Sequence, residues 1–64
     1  MNSRKAIQLK LAKLKLDLCQ STLNRLHKLS ICPGAVSEAE IETAAYYVEV
    51  AKCEVELAAL PDEP

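Results

Sequence analysis

With 64 residues and a formal net charge of −1, the chain can form one small domain, and domains of this size commonly need a staple, a metal or a partner to complete a stable core. Half of the residues are apolar, yet Trp and Phe are absent and the aromatics are Tyr46 and Tyr47 alone, so burial must come from Leu, Ile, Val and Ala. That favours helix–helix packing over a sandwich or a barrel.

From residue 3 to about residue 31, apolar side chains recur at spacings of three and four with no Gly or Pro between them, which predicts one long helix. Its first stripe is Leu9, Ala12, Leu16, Cys19, Leu23 and Leu26. A second stripe, Ile7, Leu11, Leu14 and Leu18, turns polar at Ser21, Arg25 and Lys28. A turn over residues 32–36 follows. Pro33 lacks an N–H and disfavours helical geometry at Cys32, and Gly34 supplies the positive φ that a reversing chain often needs. Ser37 with Glu40 three residues later reads as a capping box, and Val36 with Ile41 as a hydrophobic staple, so a second helix is expected from about residue 37 to 60. Pro61 ends it, and residues 61–64 read as an acidic tail. This helix also carries two stripes. One is Ile41, Ala44, Val48, Ala51, Val55 and Ala58, and the other is Tyr46, Val50, Cys53, Leu57 and Leu60. Glu42, Glu49, Lys52 and Glu56 form its solvated side.

The two halves carry opposite charge. Residues 1–32 hold seven Lys and Arg against Asp17 alone, a net +6, and residues 33–64 hold Lys52 against eight acids, a net −7. Laid side by side the helices attract, although exposed ion pairs contribute only about 0–1 kcal/mol each. Charge therefore selects the pairing more than it stabilises it. The expected fold is all-α, an antiparallel coiled-coil-like hairpin. A two-stranded coiled coil needs one apolar seam per helix, so the second stripe on each is surface that the hairpin alone leaves uncovered. Ile7, Leu11, Leu14, Leu18, Tyr46, Val50, Leu57 and Leu60 are accordingly the expected partner-binding seam. The partner is a second copy completing a four-helix bundle, or helices of another protein.

Catalytic equipment is not legible. The single His27 falls on the polar side of the first helix, one Gly is too few for a phosphate-cradling loop, and the glutamates line a solvated face rather than forming a separated acid and base. The chain is therefore expected to be non-enzymatic, with no catalytic residue, cofactor, metal or small-molecule substrate. Cys19, Cys32 and Cys53 have neither CxxC nor Cys/His spacing. About an antiparallel turn, Cys19 and Cys53 fall about one helical turn out of register, which leaves a bridge open, but buried free thiols are the expected state. No run of about 18 apolar residues is present and the start lacks the pattern of a secretory signal, so a soluble chain is expected. The basic segment KAIQLKLAKLKLDL has a composition that suits RNA or an anionic membrane surface. Both are the weaker readings, because lysine stems along an acidic neighbouring helix account for the same pattern and the tyrosines lie on the acidic helix.

Around the turn, STLNRLHKLSICPGAVSEAEIETAAYYVEVAKCEVELAAL resembles the α-helical hairpin of periplasmic adaptor proteins, the membrane-fusion subunits of tripartite efflux pumps and type I secretion systems. The family's tip pattern is an Arg, a Leu one turn later, a Gly-Ala-Ile/Val-Ser turn and then an acidic residue. Its matches are Arg25, Leu29, Gly34, Ala35, Val36, Ser37 and Glu42. The resemblance implies that Arg25, Leu29, Ser37 and Glu42 dock on the helices of an outer-membrane channel, and a periplasmic location if the chain is a piece of such an adaptor. One additional residue between Leu29 and Gly34 rotates Ser37 by about 100° relative to Arg25. Small helical-hairpin chaperones of type III secretion are similar in size and in their broad apolar faces, an architectural analogy without a shared motif.

Overall fold

In the computed structural model, which describes residues 3–61, the chain is two helices, α1 (Ser3–Leu29) and α2 (Glu38–Ala59), folded back on each other as an antiparallel hairpin of 53 × 16 × 10 Å. Residues 62–64 of the expected acidic tail lie outside the described residues.

The first stripe of each helix forms the seam between them. Ala12, Leu23, Ala44, Val48 and Ala51 are the buried apolar residues, with Val48 and Ala51 only 3% exposed. Leu16, Cys19, Leu26, Ile41 and Ala45 pack around the cluster of Leu23, Ala44 and Val48. Leu9, Val55 and Ala58 are half-buried and continue the same spacing toward the open end. Small side chains at positions 12, 44 and 51 suit a close approach of the two backbones, and Leu23 and Val48 fill the space between. The resulting core is thin: among the described residues no side chain is fully enclosed, and none of the buried ones is polar.

α1 ends at Leu29, two residues before the expected limit. Its last turn tightens: the Ile31 N–H donates to the Lys28 carbonyl at 3.4 Å and the Cys32 N–H to the Leu29 carbonyl at 3.0 Å, both three residues back. Pro33 restrains Cys32 from helical geometry, so the chain leaves the α form ahead of it. The Ser30 hydroxyl donates to the His27 carbonyl at 2.6 Å, and His27 and Lys28 place basic side chains in the last turn, where the helix dipole favours them. Gly34 then takes φ +82°, the left-handed conformation, with open space around it.

α2 starts on the expected capping box. Ser37 is extended (φ −86°, ψ 158°); its hydroxyl accepts the Glu40 N–H at 3.1 Å while the Glu40 carboxylate accepts the Ser37 N–H at 2.9 Å. At the other end the Lys5 ammonium donates to the carbonyl of Leu60, the C-cap of α2. The start of α1 thus closes the end of α2, and a cation meets the negative pole of that helix.

Two stability outcomes follow from this geometry. Ser37→Ala removes one arm of the capping box and lowers the unfolding free energy by about 1 kcal/mol in chemical denaturation. Val48→Ala opens a cavity at one of the two best-buried positions and costs about 2 kcal/mol in the same measurement.

Candidate functional site

Every large residue of the second stripes is exposed except Val50, which is half-buried: Ile7, Leu11, Leu14 and Leu18 on α1, and Tyr46, Leu57 and Leu60 on α2. Leu18 and Leu57 are 69% and 70% exposed, values unusual for leucine in a folded helix pair.

The hairpin gathers part of this set on one side. Leu11 and Leu57 border a shallow groove over Ala12 and Ala58, flanked by Gln8 and by the ion pair of Lys15 with Glu54, whose charged atoms are 3.6 Å apart. Leu18 borders the next depression along, with Thr22, Ala44 and Tyr47. Leu11 and Leu18 are seven residues apart, so they share one line on α1; Tyr47, Val50 and Leu57 follow one another at helical spacing on α2. One face of the hairpin therefore presents Leu11, Leu18, Tyr47, Val50 and Leu57, with the ion pair of Lys15 and Glu54 between their two ends.

The rest of the expected seam lies further round the helices. Leu14 borders a depression built from α1 alone, beside Lys10 and Lys13. Ile7 is seven residues before it, and Tyr46 and Cys53 form the matching line on α2, with Leu60 just past the end of that helix in extended backbone. The stripe that appears single in sequence is thus two adjacent lines, because on a helix of 3.6 residues per turn a step of three falls short of a full turn and a step of four passes it. Tyr47 was not part of the expected seam, though its place three residues before Val50 and ten before Leu57 is a helical signal for it. Its ring packs edge-on against Tyr46, with centroids 5.5 Å apart and planes at 70°.

The tip residues Arg25, Leu29, Ser37 and Glu42 are all exposed near the turn, as is Ile31 at 82%. The Ser37 hydroxyl is already the acceptor of the capping box. On α2, Glu42, Glu49 and Glu56 form an exposed acidic line seven residues apart, with Lys52 paired to Glu49 at 3.2 Å.

The thiols differ from expectation. All three are free, but only Cys19, against the seam, is half-buried, whereas Cys32 in the turn and Cys53 on the outer line of α2 are exposed. The stripe that was to bury Cys53 faces away from α1. His27 is exposed, and among the described residues no three His, Cys, Asp or Glu side chains gather into a metal-binding group. No helix among them is long and apolar enough to cross a membrane.

The chain matches no protein-family model, no curated protein and no solved structure.

Lys15 and Glu54 are 59% and 46% exposed, so their pair is screened by solvent. A double-mutant cycle with Lys15→Ala and Glu54→Ala, measured by denaturation at a concentration where the chain is monomeric, gives a coupling of about 0–1 kcal/mol that fades with salt.

Proposed function

We propose that this chain is a non-enzymatic protein–protein interaction module, which acts by laying the apolar face of its hairpin on helices of a second copy or of another protein. The observation that carries this reading is the exposure of Leu11, Leu18, Tyr47 and Leu57 together on one side of a hairpin whose own seam buries little. Exposed apolar patches rimmed by charge are characteristic of docking surfaces, and an amphipathic helix pair with a second seam is half of a bundle. A two-helix unit of this size is also marginal in water, so covering the face contributes folding energy as well as affinity.

Sedimentation across micromolar concentrations, with helicity measured in parallel, tests it. The expected result is mass above that of one chain, or a weakly helical monomer that awaits a partner. A well-folded monomer at every concentration contradicts it. Leu57→Asp places a charge in the desolvated seam and abolishes association, measured by the same sedimentation.

A second reading, docking of the turn end on the helices of an outer-membrane channel in the manner of a periplasmic adaptor, is favoured by the exposure of Arg25, Leu29 and Ile31 around the turn. Binding to such a channel that is unchanged by Arg25→Asp removes it.

A further inference from the structure

Granting that this face docks on helices, as proposed above, charge selects its occupant. Arg4, Leu11, Leu18 and Arg25 lie seven residues apart on α1, with Lys15 beside them, while Glu40, Tyr47 and Glu54 lie seven apart on α2; all five charged residues are exposed. One edge of the face is therefore basic and the other acidic, and the surface that complements it has the same two edges in reversed order. The hairpin's own face, turned over, is such a surface. Its dimensions agree, since a second hairpin of the same 53 by 16 Å extent covers the face from end to end.

Two hairpins can meet through this face about a two-fold axis in two ways. An axis across the hairpin stacks α1 on α1 and α2 on α2, setting Arg and Lys against Arg and Lys and Glu against Glu, and it sends the two turns to opposite ends. An axis along the hairpin stacks each α1 on the other copy's α2, antiparallel and in the register already used within the chain, with both turns at one end. The first opposes like charges across the interface and the second opposite charges.

We propose that the face is covered by a second copy of this chain, related by a two-fold axis along the length of the hairpin, so that α1 of each copy packs against α2 of both. Leu11 and Leu18 lie over Leu57, Val50 and Tyr47 of the second copy. At mid-length the pair of Lys15 and Glu54 meets its equivalent with signs alternating, a ring of four charges that fixes register because any other pairing leaves a charge unmatched in a partly desolvated seam. The outer line of Ile7, Leu14 and Cys53 borders the new seam.

The turn supplies the probe. Cys32 is exposed there, so a nitroxide label on Cys32 of the Cys19→Ala, Cys53→Ser chain reports the distance between the two turns by pulsed dipolar spectroscopy. The expected distance is within about 30 Å, from helix spacings of about 10 Å plus the label tethers. A distance near or above the 53 Å length of the hairpin overturns the lengthwise axis while leaving the interaction function intact. A weakly helical monomer overturns the second copy alone, and a well-folded monomer overturns both the second copy and the interaction function. A second measurement keeps the native cysteines: Lys15→Glu and Glu54→Lys chains, each self-repelling across the interface, associate when mixed about tenfold or more tightly than either does alone. Equal affinity of the mixture and the separate chains contradicts the proposal.

Discussion

A pair of helices has one seam, and that constraint organises the rest of this molecule. Each helix turns one stripe inward, where Ala12, Leu23, Ala44, Val48 and Ala51 are buried. Among the described residues, the large apolar side chains of the helices off that stripe are left in water, apart from the half-buried Val50. The hydrophobic effect that closes the seam is proportional to the area it covers, and small alanines bring the backbones close while contributing little area of their own. The hairpin is therefore a well-specified shape with limited stability, and its Leu11, Leu18, Tyr47 and Leu57 hold apolar area that the fold has not used.

The charge layout works on specificity. Cations on α1 and carboxylates on α2 add little net energy through exposed pairs such as Lys15 with Glu54, yet they disfavour every arrangement that sets like helices together. The same segregation that favours α1 against α2 within the chain favours α1 against α2 between chains. The capping box at Ser37, the positive φ of Gly34 and the Lys5 contact at the end of α2 complement it, since each fixes a chain reversal or a helix end without covering apolar surface.

The seam, the turn and the start of α2 were legible in sequence because each is a local pattern: a three-four alternation, a Pro with a Gly after it, a Ser with a Glu three residues on. The end of α1 was less so. Its last turn depends on the competition between four-back and three-back hydrogen bonds ahead of Pro33, which composition does not decide. The second stripe was legible as surplus apolar surface but not as a face. Placing Tyr47 beside Leu18 while sending Leu14 and Cys53 further round requires the register and side of the α1/α2 contact, and periodicity along a single helix carries neither. The exposure of Cys53 follows from the same gap.

Association that completes the core couples stability to concentration, because binding to the folded state alone shifts the unfolding equilibrium by mass action. Thermal unfolding followed by circular dichroism over a hundredfold range of protein concentration tests this most directly. If the apolar face is buried by a second copy, the midpoint rises with concentration; a sharp, fully reversible transition whose midpoint is the same at every concentration contradicts it.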